Sequence, residues 1–195
     1  MMDVSATQVS EVRTTEPDDH ALAARACEGD RAAFAVLVAR HYDFIHRVAW
    51  KWCRDPSGAE DIAQNVCLRL GASIRSWRKE SAFTTWLYRL TINAAHDHAR
   101  SAAREVRRTR AWATHATAMG EGAEDNDESD ADDLWTAVRT LPDKQRDAVL
   151  LVYGEELNHA EAASVMDCAE STVSYHLHAA RKRLKRLLRE AEEEQ

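Results

Sequence analysis

Residues 158–188, NHAEAASVMDCAESTVSYHLHAARKRLKRLL, contain two helix-forming segments joined by a short turn. Asn158 and Glu161 predict a capping pair, because each side chain can bond a free backbone N–H at the start of a helix. That helix is expected to reach Met166, and residues 167–169 form the turn before a longer helix begins. The stretch therefore predicts a helix–turn–helix motif.

The longer helix has an apolar face and a polar face. Its apolar residues recur at the helical period and form the stripe Val173, Leu177, Ala180 and Leu184. The same period places on the opposite face Ser171, Tyr175, His178 and Lys182, flanked by Thr172 and Ser174. Polar side chains near a helix N-terminus suit phosphate oxygens and base edges in the major groove of DNA. The alternative is an ordinary helical hairpin with a basic C-terminal end.

Residues 57–70 predict a second informative helix upstream. Ser57 with Glu60 forms the pattern of a capping box, and Gly71 is expected to stop the helix. Its apolar residues face the protein, whereas the opposite face carries Asp61, Gln64, Asn65 and Leu68. That face is either a solvated surface or a docking surface for another protein.

A further helix is expected to be capped by Ser81 and to run to about Arg104. Its inner stripe comprises Phe83, Leu87, Leu90, Thr91 and Ala94. A second stripe lies beside it and comprises Trp86, Arg89, Asn93 and Arg100. An aromatic ring can stack on an unpaired base and guanidinium groups neutralise phosphate, so this stripe suits partly single-stranded nucleic acid. Alternatively, Trp86 belongs to the core and the arginines are merely solvated.

The composition indicates an all-α protein. The 195 residues are 45% hydrophobic, Gly and Pro are scarce, and few segments alternate as half-buried strands would. The formal net charge is −7, but opposite charges are segregated: residues 100–110 and 181–189 are basic, whereas residues 121–133 are mostly acidic. The chain can therefore present basic faces to phosphate within an acidic protein.

Two small helical domains are expected. In the first domain, Asp19 and Asp30 can each cap a helix, and the helix that begins at Asp30 reaches roughly to Arg54. In the second domain, Pro142 opens a helix. The expected divisions are a disordered leader (1–17), a first domain (18–108), a flexible acidic linker (109–131), a second domain (132–190) and an acidic tail (191–195).

Several function classes are disfavoured. The four cysteines are far apart without CxxC spacing, and His pairs two residues apart point to different helix faces, so we expect neither a metal site nor a cofactor. No nucleophile with a base and no Gly-rich phosphate loop is apparent, so no catalytic residue is assigned. Residues 1–17 carry no apolar run of signal or membrane-spanning length. We expect a cytoplasmic protein without membrane insertion.

Two sets of short motifs follow one another along the chain. The first half carries residues 26–34 (ACEGDRAAF), 59–64 (AEDIAQ) and 83–89 (FTTWLYR), with Asn93, and resembles sigma region 2. The second half carries Leu141-Pro142, Gln145-Arg146, Glu161-Ala-Ala163, Ser171-Thr-Val173 and Ala180-Arg181, and resembles region 4. In this order, the two halves resemble a bacterial RNA polymerase sigma factor of the short, extracytoplasmic-function (ECF) type.

The resemblance implies a protein that binds core RNA polymerase and directs promoter recognition, strand opening and initiation without catalysing a reaction. The implied polymerase-binding residues are Asp61, Gln64, Asn65, Leu68 and Arg69. The implied minus-10 residues are Arg78, Lys79, Trp86, Arg89, Asn93 and Arg100. The implied minus-35 residues are Ser171, Thr172, Ser174, Tyr175, His178, Arg181 and Lys182. The implied partners are core polymerase, promoter DNA and an anti-sigma factor.

The sequence departs from the family pattern at some positions. Asn65 stands where glutamate is usual and Cys67 where an aromatic residue is common. The rival interpretation is a helix–turn–helix transcriptional regulator that binds duplex DNA as a dimer without polymerase. A third interpretation, a structural helical adaptor, predicts neither polymerase binding nor DNA binding.

Overall fold

The computed structural model describes residues 18–77, 81–113 and 130–193, and within these ranges all regular structure is helical. The helices are α1 (Asp19–Cys27), α2 (Arg31–Cys53), α3 (Pro56–Ser73), α4 (Phe83–Ala113), α5 (Asp130–Arg139), α6 (Asp143–Val149), α7 (His159–Met166) and α8 (Glu170–Glu193). A 3-10 turn follows α3 at Ile74–Ser76, and a π-helical turn follows α6 at Leu150–Gly154. The all-α prediction is confirmed.

Helices α1 to α4 form an N-terminal bundle. Asp18 caps α1 and Asp30 caps α2, since each carboxylate accepts backbone N–H bonds at its helix start. The cap of α1 is thus one residue before the expected Asp19. The core of this bundle contains Leu22, Leu37, Ile45, Ile62, Leu70, Phe83 and Leu87.

The start of α3 differs from the expected capping box. Asp55 is the cap, and its Oδ2 accepts the Gly58 N–H at 2.6 Å, while Pro56 occupies the first turn. Pro suits that position because its fixed φ matches the helix and its missing N–H would be unpaired there. The Ser57–Glu60 capping box is therefore wrong, and Glu60 instead accepts a hydrogen bond from Tyr42.

Two expected helix ends are also wrong. Helix α3 continues past Gly71 to Ser73, and α4 continues past Arg104 to Ala113. A Cβ on Gly71 would lie 3.4 Å from the Phe34 ring, an ordinary contact distance, and Gly71 itself continues the helix. Beyond α4, the acidic segment predicted as a flexible linker falls largely outside the described residues, as does the predicted leader.

Helices α5 to α8 form a C-terminal bundle that contains the predicted motif. The capping box at α7 is confirmed, with Asn158 Oδ1 accepting from the Glu161 N–H at 3.0 Å and the reverse bond at 2.9 Å. Asp167 ends α7 in the left-handed conformation, φ 55°. Asp adopts this conformation more readily than most residues, and this lets α8 turn back against α7.

A π-helical turn follows α6. Val149, Leu150 and Leu151 are buried, whereas Tyr153 is exposed. A helix with more residues per turn rotates the side chains that follow, which places Tyr153 toward solvent.

Within the described ranges, no helix combines the length and apolarity needed to cross a membrane.

We expect Phe83→Ala to lower the free energy of unfolding by about 3–5 kcal/mol, because a large buried ring is removed. Phe83 is 1% exposed and packs against the rings of Trp77 and Trp86, with centroids 5.5 and 5.8 Å away. Urea unfolding followed by circular dichroism measures the change. The control is Val36→Ala, at a residue 45% exposed, which should change stability by less than about 0.5 kcal/mol. Equal losses for both variants would contradict this packing.

Candidate functional site

The outer face of α3 presents the residues that the sequence singled out. Asp61, Gln64, Asn65 and Leu68 are all exposed, and Leu68 is 76% exposed. Ile62, Ala63 and Val66 point into the core from the other side of the same helix. An exposed leucine within a polar helix face offers an apolar anchor to a partner without contributing to the fold.

A hydrogen-bond chain holds part of this face in place. Gln64 Nε2 donates to Glu60 Oε1 at 2.8 Å, and Tyr42 donates its hydroxyl to Glu60 Oε2 at 2.8 Å. These bonds from Gln64 and Tyr42 lower the pKa of the Glu60 carboxyl. Sequence reasoning missed this role of Glu60, because the spacing of Ser57 and Glu60 matched a capping box.

Arg69 and Arg100 share one carboxylate. Arg69, half-buried at the edge of the α3 face, lies 2.7 Å from Asp97 of α4, and Arg100 lies 2.5 Å from the same side chain. The hydrogen bonds from Arg69 and Arg100 hold the pKa of Asp97 below its usual value. Asp97 therefore ties the α3 face to the basic end of the α4 stripe.

The predicted α4 stripe is partly covered. Trp86 is half-buried against Phe83, whereas Asn93 and Arg100 are exposed. Arg89 does not project freely into solvent: its Nε donates to the Ser164 carbonyl of α7 at 3.0 Å, and its Nη2 lies 3.4 Å from Asp167. Arg78 and Lys79, also predicted for this site, lie outside the described residues.

The polar face of α8 is open to solvent. Ser171, Ser174, Tyr175, His178, Arg181 and Lys182 are exposed, and Thr172 is half-buried. Tyr175 is 68% exposed, which is unusual for an aromatic side chain without a partner surface. Arg181 lies over the Tyr153 ring, 5.7 Å from its centroid, and donates to the Tyr153 hydroxyl. Tyr153 thereby orients one of the predicted cations, a role that the sequence did not indicate.

Buried polar contacts join the two bundles, and sequence reasoning missed them. Asp147 of α6 is 2% exposed, and its Oδ1 accepts from Trp52 Nε1 at 2.9 Å and lies 3.0 Å from His96 Nε2. Glu155 accepts from the Tyr88 hydroxyl at 2.8 Å. Burial raises the pKa of the Tyr88 phenol far above its usual value, and the Glu155 carboxylate adds to the shift.

In the part of the chain that the structure describes, no three His, Cys, Asp or Glu side chains are close enough to hold a metal ion. The four cysteines are free thiols, each half-buried. Burial raises the pKa of the Cys53 and Cys67 thiols, which makes both less reactive.

Comparison with known families gives two matches that follow the two bundles. Residues 37–105 match the family model of Sigma-70 region 2, and residues 131–184 match that of Sigma-70 region 4.

Relatives match along nearly the whole chain. The RNA polymerase sigma-H factor of Pseudomonas aeruginosa is 31% identical, over 91% of this chain and 99% of its own length. The ECF RNA polymerase sigma factor SigM of Mycobacterium tuberculosis is 33% identical, over 89% of this chain and 86% of its own.

Two solved structures share the fold. One is the sigma factor RpoE in complex with the anti-sigma factor NepR from Bartonella quintana, with TM-score 0.57 and 22% identity over 80% of this chain and 96% of that chain. The other is CnrH in complex with the cytosolic domain of CnrY, with TM-score 0.60 and 22% identity over 87% of this chain and 96% of that chain.

The order of the two matched regions, the length of the aligned relatives and the helical fold agree with one another. This chain belongs to the sigma-70 family of RNA polymerase sigma factors, in the ECF subfamily.

Proposed function

We propose that this sigma factor divides promoter recognition among three helical surfaces. The outer face of α3 binds core RNA polymerase, the α4 stripe binds the minus-10 element, and the polar face of α8 binds the minus-35 element. The observation that carries the proposal is that α3 and α8 expose large apolar or aromatic side chains among polar ones, Leu68 on α3 and Tyr175 on α8. Folding alone does not explain the exposure of these two side chains. The chain itself catalyses no reaction in this scheme and works in the cytoplasm beside its polymerase.

The polymerase-binding surface consists of Asp61, Gln64, Asn65, Leu68 and Arg69. Leu68 supplies the apolar anchor, and the surrounding polar groups supply directional hydrogen bonds. Truncating an anchor at the centre of an interface costs more than truncating its rim, so Leu68 should dominate the affinity. Asn65 carries no charge, so this face has fewer acidic groups than the family pattern leads us to expect.

The minus-10 surface consists of Arg78, Lys79, Trp86, Arg89, Asn93 and Arg100. Trp86 packs one part of its ring on Phe83, which would leave the remainder for stacking on an unpaired base. Asn93 is exposed beside it and can pair with a base edge. Arg89 and Arg100 would neutralise the phosphates on either side.

The minus-35 surface consists of Ser171, Thr172, Ser174, Tyr175, His178, Arg181 and Lys182. These residues lie on the first turns of α8, as in other helices that read the major groove. Further along the helix, Lys185, Arg186 and Arg189 continue the basic surface toward the DNA backbone.

The division into domains is part of the same proposal. Residues 18–108 would act as region 2 and residues 132–190 as region 4. Residues 109–131 would join them, and residues 1–17 and 191–195 would lie outside both domains. Helices cross three of these boundaries: α4 extends to Ala113, α5 begins at Asp130, and α8 extends to Glu193.

We also propose that an anti-sigma factor controls this chain. RpoE, which shares its fold, was solved in complex with the anti-sigma factor NepR. An inhibitor that covers Leu68 and its neighbours would block polymerase binding without unfolding the sigma factor.

Reconstituted transcription tests the function as a whole. The purified chain should co-elute with core polymerase and direct initiation at defined start sites. A chain that binds a duplex palindrome unaided and ignores core polymerase would instead behave as a dimeric regulator.

Leu68→Ala should weaken binding to core polymerase about 5- to 30-fold, corresponding to about 1–2 kcal/mol. Stability should change little because the side chain is 76% exposed. Fluorescence titration of labelled core polymerase gives the affinity. Val36→Ala, at an exposed apolar residue of α2, is the matched control and should retain the wild-type affinity. Indistinguishable affinities for the two variants would argue against the α3 surface.

Trp86→Ala should reduce promoter opening about 5- to 100-fold, because base stacking on an aromatic ring contributes about 1–3 kcal/mol. Duplex binding by the holoenzyme should fall much less. Permanganate reactivity of unpaired thymines reports opening, and a gel shift on closed duplex reports binding. Trp86→Phe keeps a ring and should restore part of the opening. Equal opening by wild type and Trp86→Ala would remove Trp86 from the site.

Lys182→Ala should weaken binding of the holoenzyme to promoter DNA and reduce the slope of log K against log salt by about one, because one phosphate contact is lost. Filter binding at several salt concentrations measures this slope. Lys182→Arg keeps the charge and should keep the slope. An unchanged slope for Lys182→Ala would place this residue away from the DNA backbone.

A further inference from the structure

Two buried carboxylates of the C-terminal bundle are bound by side chains of the N-terminal bundle. The first is Asp147, which is bound by Trp52 of α2 and His96 of α4 and has almost no exposed surface. A buried carboxylate without such donors would be strongly unfavourable, so Asp147 stabilises the contact between the bundles only while both donors remain in place.

The second carboxylate is Glu155, just after the π-helical turn. Its side chain is 3% exposed; Lys51 Nζ lies 2.6 Å from one oxygen, and the Tyr88 hydroxyl donates to the other at 2.8 Å. Lys51 also donates to the carbonyl of Gly154. Arg47 Nη2 donates to the same oxygen as Tyr88, at 3.3 Å. We call the contacts of Asp147 and Glu155 with these five donors the carboxylate joint.

A third contact uses a residue proposed to bind DNA. Arg89 of α4 donates to the Ser164 carbonyl and lies within 3.4 Å of Asp167, both in the C-terminal bundle. A guanidinium bound to a carbonyl and a carboxylate cannot at the same time bind a phosphate with the same N–H groups. The Nε and Nη2 groups of Arg89 therefore bind the C-terminal bundle or a phosphate, but not both at once.

The physical chemistry of the joint favours a reversible contact. Burying a carboxylate costs a desolvation free energy that its hydrogen bonds and ion pairs largely offset, so the net stabilisation is small. Separation of the bundles would return both carboxylates to water. The buried apolar side chains of both bundles form one cluster, so separation would also expose apolar surface.

We propose that the free chain rests in a closed form held by the carboxylate joint, in which the C-terminal bundle and single-stranded promoter DNA compete for Arg89. The inference rests on the proposed role of the α4 stripe in binding the minus-10 strand. The polar face of α8 stays exposed in the closed form, with Tyr175 68% exposed. Duplex recognition by α8 is thus compatible with the closed form, whereas capture of the opened strand requires the joint to separate.

Single-molecule energy transfer tests the closed form directly. Donor and acceptor dyes are placed on the full chain at Glu28 and Glu190, both exposed, through unnatural amino acids so that the native cysteines stay unlabelled. The free wild type should give mainly one high-transfer population. Glu155→Gln and Tyr88→Phe should each raise the ratio of low- to high-transfer molecules roughly fivefold or more, as expected for the loss of a charge-assisted bond.

The matched control is Tyr42→Phe. Tyr42 donates to Glu60 at 2.8 Å, the same bond length and partner type as Tyr88 with Glu155, but within the N-terminal bundle. It should leave the energy-transfer distribution unchanged. Circular dichroism confirms that each variant is folded. An unchanged distribution in folded Glu155→Gln and Tyr88→Phe overturns the closed form.

Competition for Arg89 is measured with a fluorescein-labelled, mixed-sequence single-stranded oligonucleotide by anisotropy. If the closed form excludes the oligonucleotide, Glu155→Gln and Tyr88→Phe should bind it more tightly than wild type. The gain in affinity should roughly equal the increase in the fraction of open molecules. Opened variants with wild-type affinity overturn the competition. Arg89→Ala in the Glu155→Gln background should lose this gain. If the affinity gain survives that substitution, Arg89 is not the shared residue and the competition is overturned, whereas the energy-transfer result still decides the closed form.

Discussion

The burial of two carboxylates between the bundles is the constraint on which the arrangement of this sigma factor depends. Asp147 and Glu155 can be buried only where hydrogen-bond donors meet them, and those donors come from α2 and α4. Helices α2 and α4 each contribute donors to both carboxylates. The position of α2 relative to α4 therefore decides whether the C-terminal bundle can dock. A well-packed N-terminal core is therefore a condition for the joint as well as for the bundle itself.

The proposed surfaces differ in how this docking affects them. The residues of the α3 and α8 surfaces are exposed, apart from the half-buried Arg69 and Thr172. The α4 stripe lies against α7, where Arg89 binds Ser164. In the proposed scheme, polymerase and duplex DNA therefore bind first, and the minus-10 strand binds once α4 is uncovered.

Local features of the sequence predicted much of this fold, and long-range contacts accounted for most errors. The capping box at Asn158 and the turn after Met166 were predictable because their determinants lie within a few residues. The predictions at Ser57 and Gly71 were wrong because Asp55-Pro56 offered a better helix start and because Gly71 continues α3 without ending it. The exposed faces of α3 and α8 followed from helical period. Asp147 and Glu155 could not be predicted, since their donors lie far away in sequence.

The most direct test of the account is the distance between the two bundles before and after promoter opening. Double electron–electron resonance on full chain carrying genetically encoded labels, one in each bundle, gives this distribution for the free protein and for holoenzyme on an opened promoter. The account predicts a single short distance in the free chain and a longer one in the open complex. The same short distance in both states would contradict it, because the joint would then remain closed while the strand is bound.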